Sequence, residues 1–82
     1  MSISAVWQNE PLAHDVSVDD AMLRIFLVDG REMAVPLAWF PRLREATPEQ
    51  RVNWRLIGGG EGIHWPDVDE DISVAALMGL PD

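Results

Sequence analysis

The side chains able to do chemistry in this chain crowd into one stretch. His64 follows the glycine run Gly58-Gly59-Gly60-Glu61-Gly62, and Trp65, Asp67, Asp69, Glu70 and Asp71 come directly after it. An imidazole beside carboxylates is the pairing of general-base catalysis. Aspartates at alternate positions have the spacing of the first calcium ligands in an EF-hand loop, and clustered glycines are the raw material of a phosphate-binding turn. Each reading must meet the rest of its pattern. The EF-hand loop requires glycine at its sixth position, where Ile72 stands, and glutamate at its twelfth, where Met78 stands. The dinucleotide pattern starting from Gly58 puts its third glycine on Ile63, and starting from Gly60 on Trp65. Glu61 would also set a negative charge against a bound phosphate. A hydrolytic role for His64 with Glu61, Asp67 or Asp69 lacks a nearby serine or cysteine nucleophile, and Ser73 fits better as a helix cap.

Plainer roles are available for all of these residues. Glycine permits tight turns and close backbone packing, and carboxylates ahead of the Ser73 helix favour its positive end by about 0.3–1 kcal/mol each. In an extended segment His64 points away from both Ile63 and Trp65, which exposes its ring. The leading expectation is therefore a protein-contact surface made of Gly58, Gly59, Gly60, Glu61, Gly62, His64, Trp65, Asp67, Asp69, Glu70 and Asp71. Trp39 and Phe40, next to Arg42 and Arg44, form a second interface candidate, because exposed aromatics with arginine resemble a binding hot spot. No catalytic residue, metal or cofactor is expected.

Composition narrows the classes further. The 82 residues have room for one small domain, and their formal charge is −8. All six basic residues are arginine, and lysine, cysteine and tyrosine are absent. Schiff-base, thiolate and disulfide chemistry are thereby excluded, as are cysteine-ligated zinc and a phosphate-loop lysine. A hydrophobic content of 48 % with tryptophans at 7, 39, 54 and 65 argues for a folded chain, with dimerisation able to supply part of the burial. No stretch approaches the roughly 20 apolar residues of a membrane span, and Met1-Ser2-Ile3-Ser4 lacks the basic start of a secretory signal. The expectation is a cytoplasmic protein that binds neither membrane nor nucleic acid, since phosphate backbones are held by clustered lysine and arginine.

The charge is local. Residues 1–23 carry Glu10, Asp15, Asp19 and Asp20 with no arginine. All the arginines fall in residues 24–55, against Asp29, Glu32, Glu45 and Glu49, and residues 56–82 carry Glu61, Asp67, Asp69, Glu70, Asp71 and Asp82 unopposed. Folding either pairs these blocks or leaves a basic and an acidic face.

The elements that must position these groups follow from periodicity. Val16 and Val18 alternate with polar residues, Asp19-Asp20-Ala21 reads as a turn, and Met22 to Val28 is the clearest strand. Asp29-Gly30 leads into a second strand, Arg31 to Leu37. A two-residue loop would set Glu32 opposite Leu27. A three-residue loop, Val28-Asp29-Gly30, instead pairs Leu27 with Arg31, Ile25 with Met33 and Leu23 with Val35, and burial favours it. Pro36 ends the strand or marks a sheet edge. Short helices are expected over 38–46, over 48–54 behind the capping box Thr47-Pro48-Glu49-Gln50, and over 74–78 behind Ser73, closed by Gly79 and Pro81. Leu56-Ile57 and Ile63-His64-Trp65 read as strand stubs either side of the glycine turn. The expected fold is α+β: a small antiparallel sheet built on the hairpin at about 22–37, with these short helices packed on it.

Several of these motifs also carry a family likeness. Asp29-Gly30-Arg31, the run from Val35 to Leu43, Ala46-Thr47-Pro48-Glu49, and above all the run from Ile57 to Asp67 with Asp69-Glu70-Asp71-Ile72-Ser73-Val74 resemble the bacterial domain of unknown function 2442 (DUF2442) over roughly residues 14–78. The resemblance implies a small α+β protein and supplies no catalytic residue. It also implies a protein partner, because such proteins are often encoded beside members of domain of unknown function 4160 in an arrangement suggestive of toxin and antitoxin pairs. Some relatives carry an additional helix-turn-helix, for which these 82 residues leave no room. The function expected is thus an acidic, antitoxin-like interaction module that can also form a homodimer. The alternatives are a small metal- or histidine-dependent enzyme using His64 and nearby carboxylates, and a dimeric transcription regulator.

Overall fold

A computed structural model describes residues 11–79. Trp7, Glu10, Pro81, Asp82 and the Met1 to Ser4 start lie outside the described residues.

The first sheet has strand order β1-β2-β3, with β1 at Ala13–Val18, β2 at Met22–Leu27 and β3 at Glu32–Pro36, all antiparallel. Leu23 faces Val35 and Ile25 faces Met33, so the hairpin takes the register that burial favours. The Leu27 N–H donates to the Arg31 carbonyl at 2.8 Å, and Gly30 takes the positive φ of 96° that closes the loop. Leu23, Ile25 and Leu27 are thereby all turned inward and buried. At the other end of β2, Asp19 organises the turn. Its Oδ1 accepts from the N–H groups of Ala21 at 2.8 Å and Met22 at 2.7 Å, and its Oδ2 from Arg24 at 2.9 Å.

The expected helix over 38–46 is broken in two. A 3-10 turn at Leu37–Trp39 is followed by α1 at Pro41–Arg44, with Phe40 between them at φ −126° and ψ 84°. Pro41 is the cause, because the residue before a proline is pushed out of the α region. The capping box at Thr47 forms with both of its bonds, Gln50 N–H to Thr47 Oγ1 at 3.2 Å and Thr47 N–H to Gln50 Oε1 at 3.0 Å. Helix α2 is shorter than expected, Pro48–Arg51 rather than 48–54, since the chain must extend to enter β4 at Arg55.

A second sheet was not foreseen as a separate unit. It has order β4-β5-β6, with β4 at Arg55–Ile57, β5 at Gly62–Trp65 and β6 at Glu70–Ser73. Strand β6 lies within the acidic run, where Ile72 alone is apolar, so it shows little hydrophobic alternation. Ile63 pairs with Ile72 and Leu56 with Ile63, placing the apolar row of this sheet on one face. Ser73 then caps α3 at Val74–Leu77, its Oγ accepting from the Ala76 N–H at 3.2 Å. Buried residues of both sheets, including Leu23, Ile25, Ile63, Trp65 and Ile72, join Leu37, Leu43 and Val74 in one hydrophobic cluster.

Among the described residues one charged side chain sits inside this assembly. Arg51 is buried, and its guanidinium donates to the carbonyls of Leu43 at 3.0 Å and Arg44 at 2.7 Å and to the Asp20 carboxylate at 2.7 Å. Its own carbonyl accepts from the Trp65 indole N–H at 3.0 Å. Replacing it takes a donor from two carbonyls of α1, of which Leu43 keeps the Ala46 N–H at 3.2 Å and Arg44 loses its partner. Arg51→Met is expected to lower the free energy of unfolding in urea by roughly 2–4 kcal/mol, with Arg51→Lys recovering only part of it. A loss below about 0.5 kcal/mol would show that the fork does not hold the fold together.

Asp19 gives a pH signature. Its carboxyl is held at about 2 against an ordinary 3.8, chiefly by the Ala21 N–H, then by the Met22 N–H and by Arg24. A depressed folded-state value means that the contribution is complete above the unfolded value and is lost as pH falls through the folded one. The stability difference between wild type and Asp19→Ala is expected to shrink between about pH 4 and pH 2. Urea titrations across that window check it, and a constant difference would contradict the assignment.

Candidate functional site

The glycine run is a packing device. Gly58, Gly59 and Gly60 have φ of 61°, 68° and 109°, a left-handed backbone closed to most side chains. A β-carbon on Gly60 would lie 2.4 Å from the Ala13 carbonyl oxygen, so the turn presses its bare backbone onto β1 of the first sheet. Gly62 is also crowded, with Ile57 Cγ1 3.0 Å from the place of its missing β-carbon. Gly60 and Gly62 are buried, and the face a phosphate would need at Gly60 is filled by protein backbone. Gly58, Gly59 and Glu61 stay exposed, with a Glu61 carboxylate oxygen 3.0 Å from where a β-carbon of Gly58 would stand.

Trp65 needs correcting as a surface residue. It is 0 % exposed and lies in the core, its indole anchored to Arg51. Strand alternation sends Ile63 and Trp65 inward and His64 outward, as the pattern required, but burial takes Trp65 out of any contact surface. His64 sits in a row across the second sheet, with Arg55 on β4 on one side and Asp71 on β6 on the other. Its Nδ1 lies 2.5 Å from Asp71 Oδ1. An ionised carboxylate only accepts, so Nδ1 is the donor of this pair. The carboxylate that meets the imidazole is thus Asp71 rather than Glu61, Asp67 or Asp69.

The alternate aspartates diverge. Asp67 accepts from Asn53 Nδ2 at 3.0 Å, Asp71 turns to His64, and Asp69 closes the turn between β5 and β6 with φ 54°. Among the described residues no three histidine, aspartate or glutamate side chains converge as metal ligands do. Aspartate tolerates the left-handed conformation better than most residues, which accounts for its place at the end of this turn.

The turn is tied to the other candidate surface. Arg42 on α1 donates to the Asp69 carbonyl at 2.5 Å, tying the helix that follows Trp39 and Phe40 to the acidic run. Trp39 is 62 % exposed, while Phe40 is half-buried against the core. Arg44 lies outside this junction, 3.6 Å from Glu45. Three other arginines are spent on other acids: Arg24 pairs with Asp19 and Glu32, Arg31 with Asp29, and Arg51 with Asp20. Among the described residues the carboxylates of Asp67, Asp69 and Glu70 make no ion pair. Arg51 and Asn53, which position this region, carried no distinguishing signal in sequence. Their partners lie in other elements, and only the capping box just before Arg51 marked its place.

No helix among the described residues is long and apolar enough to cross a membrane. The family model described as "Protein of unknown function (DUF2442)" matches residues 13–80. Among solved structures the chain is similar to that of a protein of unknown function from Rhodospirillum rubrum ATCC 11170, with 29 % sequence identity and a TM-score of 0.72. That similarity covers 88 % of this chain and 90 % of the other. No curated protein matches.

The contact between the glycine turn and β1 is open to a direct test. Gly60→Ala drives a methyl group into the Ala13 carbonyl and strains a positive φ. It is expected to destabilise the chain by roughly 2–4 kcal/mol, whereas Gly59→Ala, with open space at its β-carbon, costs about 1 kcal/mol. Urea denaturation of the two variants compares them, and equal losses would refute the packing role.

Proposed function

The chain belongs to the DUF2442 family, and from that premise we propose that it is a non-enzymatic protein-interaction module whose contact surface is the acidic β5–β6 turn with Trp39 beside it. The supporting observation is the Arg42 bond to the Asp69 carbonyl, which ties the helix that follows the exposed Trp39 to a turn whose Asp67, Asp69 and Glu70 carboxylates make no ion pair among the described residues. Such a surface complements a basic protein. Trp39 offers apolar area at little cost in side-chain entropy, and a ring face that attracts arginine or lysine. Carboxylates around it steer a cationic partner and disfavour nucleic acid and other acidic surfaces. An antitoxin-like role toward a small basic protein, such as a member of domain of unknown function 4160, is the specific form of this reading.

Co-expression with the product of the adjacent gene, followed by size-exclusion chromatography, tests it. The two proteins are expected to co-elute, and less so as salt rises. Asp67→Asn, Asp69→Asn and Glu70→Gln together, which keep the turn geometry, are expected to weaken the complex about tenfold or more, and Trp39→Ala to do the same. Two folded proteins eluting separately, or a complex indifferent to these changes, would overturn the proposal.

A further inference from the structure

We propose that a second copy of this chain pairs along the outer edge of β4, about a twofold axis at Leu56, joining two three-stranded sheets into one antiparallel six-stranded sheet. The order β4-β5-β6 leaves that edge of β4 without a neighbouring strand among the described residues. The other sheet edges are protected. Gly60 is packed against the Ala13 end of β1, β3 carries Pro36, which has no N–H to share, and β6 would bring Glu70 and Asp71 against the same carboxylates of its copy. Strand β4 has no proline and no acid, and Ile57 on it is 44 % exposed.

Charge selects the occupant. Arg55 is the one arginine without a hydrogen bond or ion pair among the described residues, while the other five all bind carboxylates or carbonyls. At the opposite end of the strand the Glu61 carboxylate lies beside Gly58, also without an ion pair among the described residues. An edge with a free cation at one end and a free carboxylate at the other is complementary to itself when turned through 180°. The twofold sets Arg55 opposite Ile57 of the second copy, one residue from Gly58 and its neighbouring Glu61. The contact occurs twice, and each Arg55 stem covers an Ile57 side chain. Because β4 is three residues long, the interface falls in the small class, below about 1,200 Å2, and the dimer is weak. It lies on a different edge from the acidic turn, so it stands whether or not that turn binds a partner.

Sedimentation equilibrium of the whole chain from about 10 µM to about 1 mM tests the proposal, with a concentration-dependent monomer–dimer equilibrium expected. Arg55→Glu and Glu61→Arg are each expected to raise the dissociation constant about tenfold or more by setting like charges together. The double variant Arg55→Glu with Glu61→Arg is expected to return it to within about threefold of wild type. Circular dichroism and urea midpoints establish that each variant is folded, and Glu61→Gln, which removes the charge without reversing it, gives an intermediate loss. A wild-type chain that stays monomeric throughout, single variants that dimerise unchanged, or a double variant that fails to recover would each overturn the proposal.

Discussion

The fork of Arg51 is the constraint on which the rest of the structure depends. Helix α1 is one turn long, too short to hold itself together, and its last carbonyls have no partners within the helix. Arg51 reaches back from α2 to bind two of them, and its third contact reaches the Asp20 carboxylate in the turn between β1 and β2. Its own carbonyl receives the indole of Trp65, the largest fully buried side chain of the second sheet. Both sheets and both middle helices therefore meet at one residue. The Asp20 carboxylate faces water, so the ion pair itself contributes little, and the carbonyl bonds in the buried part of the fork carry more of the effect. A lysine would bring three donors on a point charge but no planar fork, which gives structural meaning to a chain whose every basic residue is arginine.

Where the fold follows from local rules, it was readable. The 22–37 hairpin was decided by a choice between two registers, only one of which kept the apolar row of β2 on one face. The Thr47 capping box and the Ser73 cap depend on residues three apart and formed as written. The break at Phe40 was also present in the sequence, since Pro41 forbids an α conformation just before it, but helical periodicity through 38–46 concealed it. Strand β6 was hidden for another reason. Glu70 and Asp71 read as a solvated run, and it is the pairing of Ile72 with Ile63 that makes the segment a strand. The inward turn of Trp65 and the fork of Arg51 depend on elements distant in the chain, and no local pattern announces them.

The charge distribution resolves into two behaviours. The N-terminal and central blocks neutralise each other through Arg24 with Asp19 and Arg51 with Asp20, both at the turn between β1 and β2 that Asp19 organises. Among the described residues no C-terminal carboxylate meets a guanidinium: Asp67 accepts from Asn53, Asp71 lies against His64, and Arg42 reaches only the Asp69 carbonyl. The same excess of carboxylates thus organises backbone at one end of the chain and remains unspent at the other.

The seam between Gly60 and Ala13 has a consequence for how the chain reaches this structure. Each sheet is assembled from neighbouring segments, so its hairpins close short loops and can form on the microsecond scale typical of such units. Gly60 and Ala13 lie far apart in the chain, one in the turn between β4 and β5 and the other at the start of β1. Their contact requires both sheets to be largely in place, and it gains nothing until the backbones touch. Loop-closure entropy therefore falls on bringing the two sheets together, and the apolar cluster that both sheets share must offset it. The apolar side chains shared by the two sheets draw them together, and the bare backbone of Gly60 sets how closely they can end.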